Sequence, residues 1–264
     1  MKFAPQIKLY RKLRYRKGFG VHSPFTYNLI TKVIEEKTPY YIFDEIEQFR
    51  KGLSQHKETQ HKNYGALLFR IVHFFKCRTI LQIRAYTGIL SLYLSMASGK
   101  DCSCYALEEN PDLLEAVKVF AGQQRLERLH FMEGNYAENL EKLKNTLSSF
   151  DLIFINQSGN PEETLKTIEL SKHFIGEKSI LIIDGISENK AMKGLWKKIK
   201  DHPETRVTID LFTLGIAFFD KKLHKQHYKN YFDYGKKQNL YKKRRRRIHL
   251  FGWRKNSFKN QSAH

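Results

Sequence analysis

No run of about 18 apolar residues occurs in the 264-residue sequence, so no membrane-spanning helix is indicated. Nor does an apolar signal core follow the basic start, because Arg and Lys interrupt residues 8–17. Cysteine is scarce. Cys77, Cys102 and Cys104 form no C-x-x-C pair, which removes the usual zinc and dithiol frameworks. Cys102 and Cys104 have strand spacing and read as packing residues on one face. A reducing cytoplasm is the expected compartment.

Acid is scarce at both ends. Residues 1–17 carry seven Lys/Arg and no acid, and residues 221–264 carry 15 Lys/Arg against the single acid Asp233. Residues 18–220 are close to neutral, at a net −1. The +20 total is therefore confined to the two ends, a distribution that suits a polyanionic partner, either nucleic acid or an anionic membrane surface.

Glycine is missing where it would be most useful. Residues 79–97, TILQIRAYTGILSLYLSMA, run as a short apolar strand, a turn ending in Gly88, and an apolar helix. In an open α/β sheet such a turn lies at the carboxyl edge, where ligands bind. A glycine-rich turn lets backbone approach a cofactor closely, yet Arg84 and Tyr86 occupy it.

What is present alternates. Ser23 followed by Pro24 caps a helix over 24–36, a further helix fits 43–51, and the polar stretch 54–63 reads as a linker. Leu67, Leu68, Ile71, Val72 and Phe75 form an apolar helix face that leads into the first strand. Strands then read at 79–83, 103–107, 129–132, 151–155 and 179–184, with helices between and after them. They are short and continuously apolar, as strands buried on both faces of a parallel sheet are. Strands 205–211 and 214–220 are joined so tightly that they form a hairpin, which makes the last strand antiparallel.

Five β–α units closed by a hairpin resemble class I S-adenosylmethionine-dependent methyltransferases. The local motifs agree, over about residues 64–220. ILQIRAYTGILSLYLSMA resembles the first motif, CYALEENPDLLEAV the second strand with its ribose-binding acid, and FMEGNYAENLEKL the third strand with its G-D-A step. FDLIFINQSGNP and SILIIDGI resemble strands four and five of the catechol O-methyltransferase-like bacterial branch. The resemblance implies a Rossmann-like α/β sheet of seven strands, the last one antiparallel. Residues 1–62 form an N-terminal helical cap, 63–220 the methyltransferase domain and 221–264 a basic, aromatic extension.

The cofactor-binding positions implied by the resemblance are Gln82, Arg84, Tyr86, Gly88, Glu108, Asn135 and Asn156. Glu108 keeps the acid that accepts both ribose hydroxyls, with Glu109 as a fallback. Gln82, Asn135 and Asn156 are amides where the family carries acids. The Asn135 carbonyl can still accept from an adenine amine. Arg84 either grips an anionic substrate or the cofactor carboxylate, or points outward from a pocket no longer used. The branch's Mg²⁺ site needs a carboxylate after strand four and an Asp–Asn pair after strand five. Here those positions read Asn156, Asp184 and Gly185, so no metal is expected.

His22, in the lead-in GFGVHSPF, is the one candidate catalytic residue, as a general base on a lid. The alternative is that this segment only caps and docks the N-terminal helices. The tail interleaves Tyr228, Tyr231, Phe232, Tyr234, Tyr241, Phe251, Trp253 and Phe258 with KKRRRR at 242–247. That mixture suits base stacking on RNA and equally suits an anionic membrane interface. Two functions follow: a metal-independent methyltransferase with an unnamed acceptor, or a degenerate methyltransferase fold that binds RNA or another polyanion or acts as a scaffold.

Overall fold

The computed structural model describes residues 4–15, 18, 20–53, 62–97, 99–156 and 160–234. Most of the linker 54–63 and the tail from 235 onward lie outside the described residues.

The described chain begins with helix α1 (Ala4–Arg14), then α2 (Pro24–Leu29), which runs into a π-helical turn over Ile30–Ile34, then α3 (Tyr41–Gly52) and α4 (Lys62–Phe75). Ser23 caps α2 through a bond from Thr26 N, and Pro24 stands at the first helical position, where a missing N–H has no cost.

From α4 onward strand and helix alternate. The order is β1 (Thr79–Ile83), α5 (Ile89–Ser95), β2 (Ser103–Glu108), α6 (Glu115–Gln123), β3 (Leu129–Glu133), α7 (Tyr136–Lys144), β4 (Phe150–Ile155), α8 (Pro161–Ser171), β5 (Ile175–Asp184), α9 (Lys190–Asp201), β6 (Val207–Asp210), β7 (Leu214–Phe218) and β8 (Gln226–Lys229).

The strands make one sheet in the order β3-β2-β1-β4-β5-β7-β6-β8. β7 runs antiparallel to both neighbours, β5 and β6, while the other pairings are parallel. This is the seven-stranded Rossmann-like arrangement expected from the sequence, with an eighth strand added. β8 lies inside the segment read as a tail extension. Its residues are mostly exposed, so it carries no apolar pattern; it is held by backbone pairing to β6 and by a 2.9 Å contact between Thr208 Oγ1 and His227 Nδ1.

Two apolar layers sandwich the sheet. On one face Ile80, Cys104, Ala106, Phe154 and Ile182 pack under α4, α5 and α6, together with Leu29, Val33, Phe43 and Ile46 from the N-terminal helices. On the other face Leu81, Ile83, Leu107, Ile153 and Ile183 meet α7, α8 and α9. The helices over 24–53 thus share one core with the sheet. Phe49 stacks on Phe120 of α6 at 4.4 Å, and the Tyr93 hydroxyl of α5 donates to Glu47 of α3 at 3.4 Å.

The chain between Asp220 and Tyr234 also packs on the body. Phe232 is buried, and the Tyr234 hydroxyl donates to Leu211 O at 2.9 Å and accepts from Leu214 N at 3.2 Å. Ending the chain after Asp220 removes β8 and both rings. Losing a large buried aromatic such as Phe232 costs about 3–5 kcal/mol, so thermal denaturation should show a large fall in Tm.

Candidate active site at the carboxyl edge

Three of the five residues linking β1 to α5 have left-handed backbone: Arg84 (φ 63°), Tyr86 (φ 53°) and Gly88 (φ 72°). For Arg84 and Tyr86 this conformation costs about 1–2 kcal/mol each. The surroundings hold it in place. Ala85 N donates to Leu107 O and Gly88 N to Ala85 O, both at 2.9 Å. Tyr86 N donates to Glu108 Oε2 at 2.7 Å, and Asn156 Nδ2 donates to Arg84 O at 3.1 Å. The turn is thus pinned by the ends of β2 and β4, which flank β1.

Gly88 is required twice. Its φ is one that L side chains rarely adopt, and a Cβ there would stand 2.6 Å from a Val117 methyl of the helix after β2.

Glu108, at the end of β2, is 5% exposed. Its Oε1 accepts from Asn110 N at 3.1 Å and its Oε2 from Tyr86 N. Burial raises the pKa of this carboxyl, against the lowering effect of the backbone N–H groups.

The other expected positions divide. Gln82 is buried on the α5 side, its Oε1 accepting from Ser91 Oγ at 2.8 Å. Arg84 is buried on the opposite side, its guanidinium 5.2 Å from the Tyr136 ring and Nη2 3.2 Å from Thr167 Oγ1, with Glu163 at 3.7 Å. So it neither points into solvent nor leaves the edge. Gln82 Nε2 and Arg84 Nη1 are both buried without a hydrogen-bond partner. Asn135 is exposed and serves as the N-cap of α7, its Oδ1 accepting from Ala137 N and Glu138 N. That oxygen, the expected adenine acceptor, is thus already engaged.

His22 is not brought to this edge. It is exposed, and Phe25, three residues on, packs against Phe75 and Phe218. Phe75 precedes β1, and Phe218 pairs with Ile180, which lies level with Leu152 and Ile80 near the start of β1, so the segment docks at the amino edge of the sheet. Here Ser23 caps α2 and Phe25 docks it, so His22 lies apart from the carboxyl-edge residues.

A cavity of about 380 Å³ also lies at the amino edge, lined by Phe25, Phe75, Cys77 and Phe218 beside exposed Lys76, Arg78 and Lys178. It is remote from the carboxyl-edge residues. There, Arg84 packs on Tyr136, and Arg84, Glu108 and Tyr136 are each under 10% exposed.

Tyr64, Tyr136 and Tyr234 lie near the expected site positions and were not singled out for the site in the sequence reading. Tyr136 had a visible signal, since it stands where the G-D-A step carries alanine. Tyr64 and Tyr234 did not, because only folding brings them near Asp184. Burial, then the Asp184 charge, pushes the Tyr64 phenol well above its ordinary range. The Tyr234 phenol is raised mainly by burial. Among the described residues no three His, Cys, Asp or Glu side chains cluster as metal ligands.

The comparisons agree with this architecture. A family model described as O-methyltransferase matches residues 41–173. An O-methyltransferase from Bacillus cereus in complex with SAH superposes with TM-score 0.55 at 16% identity, covering 73% of this chain and 96% of its own. The O-methyltransferase TomG from Streptomyces achromogenes, involved in tomaymycin synthesis and in complex with SAM, gives 0.57 at 13%, with 69% and 91% covered. A SAH-bound methyltransferase from Podospora anserina gives 0.55 at 15%, with 83% and 96% covered. No curated protein sequence matches.

Proposed function

The chain belongs to the O-methyltransferase family, and from that premise we propose that it transfers a methyl group from S-adenosylmethionine to an oxygen acceptor without a metal. The observation that carries the reading is Glu108, a buried carboxylate at the end of β2, ordered by the same turn that Gly88 permits.

The residues present fit this cofactor. A carboxylate offers about four acceptor sites, so Glu108 keeps capacity for ribose hydroxyls beyond its backbone partners. Arg84 Nη1, buried without a hydrogen-bond partner on the α7/α8 side of the turn, suits a carboxylate such as the one at the amino-acid end of the cofactor. When bound, the cofactor supplies an electrophilic methyl group. The protein's part is positioning: Asn156 ties β4 to the β1 turn, and Arg84 fixes the turn against α7 and α8. Family membership favours this enzyme over the scaffold reading.

Incubation with methyl-labelled cofactor and a panel of phenols should release the demethylated thioether in proportion to methylated phenol. The absence of acceptor-dependent label transfer across the panel would count against the proposal.

Metal independence rests on donor chemistry. Asn156 presents an amide already bonded to Arg84 O, and Gly185 has no side chain, which leaves Asp184 alone among the three family positions. Activity should therefore be the same in chelator and in added Mg²⁺. Loss in chelator with recovery on Mg²⁺ addition would refute this point.

The extension 221–264 completes the reading as a polyanion contact, to RNA or an anionic membrane, with its charge concentrated after Tyr234. The three buried free cysteines suit a cytoplasmic setting. Among the described residues no helix is long and apolar enough to cross a membrane.

A further inference from the structure

Helix α1 is docked the wrong way round for an ordinary amphipathic helix. Its cation faces the protein: the Arg11 side chain is 11% exposed, with Nη1 donating to Asp210 Oδ1 at 2.8 Å and to Asp210 O at 3.1 Å, and its guanidinium lying 5.4 Å from the Phe212 ring. Among its described side chains the large apolar ones face out. Leu9 is 58% exposed, Tyr10 57% and Leu13 75%. At about 100° per residue, Leu9 and Leu13 fall on one stripe roughly opposite Arg11, with exposed Lys12 beside them. Surface helices place leucine inward; here the Arg11–Asp210 pair fixes the reverse orientation.

We propose that this outward face of α1 docks on an anionic lipid surface, the leucines entering the acyl boundary while the surrounding cations meet headgroups. Charge complementarity selects the occupant. Residues 1–17 carry seven Lys/Arg and no acid, so a second copy of this helix is repelled. Aliphatic side chains have no π face on which a base can stack, which disfavours RNA at this stripe. Leucine and an aromatic on one face with Lys/Arg around them is the composition of an interfacial helix.

The described chain nears its end beside α1, where Tyr231 N donates to Tyr15 O at 3.3 Å. The 30 residues of sequence after Tyr234 carry 11 Lys/Arg and no acid. A short helix and a polybasic segment are the two weak signals that stable peripheral binding requires. The proposal does not depend on methyl transfer.

The test uses the full chain with phosphatidylcholine vesicles and the same vesicles containing phosphatidylglycerol. Co-sedimentation is expected only with the anionic vesicles. Leu9→Ser/Leu13→Ser should weaken it by at least about tenfold, the scale of losing two partly inserted leucines, with unchanged Tm and unchanged binding to poly(U). In a separate variant, the emission of Tyr10→Trp should shift to the blue on anionic vesicles. The proposal is overturned if the parent protein ignores anionic vesicles, if the double variant binds them as the parent does, or if the Trp emission does not move. It also fails if the leucine replacements abolish RNA binding or convert a dimer to a monomer, either of which would assign the face to RNA or to a second copy.

Discussion

Replacing Gly88 by alanine is expected to produce the largest single loss of stability at the site, about 2–5 kcal/mol, and to abolish cofactor binding. Two independent costs add. Left-handed backbone costs a non-glycine residue about 1–2 kcal/mol, and Gly88 has φ 72°. The new methyl would also stand 2.6 Å from Val117 Cγ1 and 3.1 Å from Cγ2. Forcing a methyl into a packed core costs typically about 1–3 kcal/mol. The double variant Gly88→Ala/Val117→Ala separates the two, since trimming valine relieves the clash but leaves the backbone strain. Urea denaturation should show the double variant more stable than Gly88→Ala alone, and below Val117→Ala. Equal stability of Gly88→Ala and the parent would mean that the turn has another conformation.

Glu108→Ala should act on both stability and affinity. It removes the acceptor of Tyr86 N and of Asn110 N, and bonds to a charged group contribute about 1.5–3 kcal/mol. Affinity for S-adenosylmethionine should fall by at least about 1–3 kcal/mol, on the same ground. The pH dependence has a definite sign. Burial raises the Glu108 pKa in the folded protein, so the folded state holds this proton more tightly than the unfolded chain. Its contribution to stability is then fully present below the unfolded carboxyl pKa and is lost as pH rises through the raised folded value. The stability gap between parent and Glu108→Ala should therefore widen as pH falls through the carboxylate range. A gap that narrows on acidification would show that the backbone N–H bonds outweigh burial.

How much of this was legible follows from what each feature depends on. The strand positions, the antiparallel β7 and the turn at Gly88 depend on local apolar runs and turn spacing, which a sequence displays directly, whereas the sheet arrangement and the place of Glu108 came from the family resemblance. β8 depends on backbone pairing at an exposed edge, and QHYK has no apolar alternation to reveal it. The destination of Arg84 depends on Tyr136 and Thr167, which come from helices following other strands. Asn135 looked like an adenine acceptor because the motif marks its position, but a side chain at a helix start bonds first to the free N–H groups there. The encounter of Tyr64 with Asp184 joins residues 120 positions apart, and only the folded sheet makes it. The orientation of α1 was hidden for a related reason: a helix with both leucine and arginine faces gives no sign of which face docks until Asp210 supplies the partner.

The central claim is that the rewritten turn, with Arg84 and Tyr86 in place of small residues, still builds a cofactor site around Glu108. Isothermal titration of the full chain with S-adenosylmethionine tests it most directly. Saturable binding at one cofactor per chain is the predicted result; a titration with no saturable heat, on protein whose cooperative unfolding shows it to be folded, would contradict it.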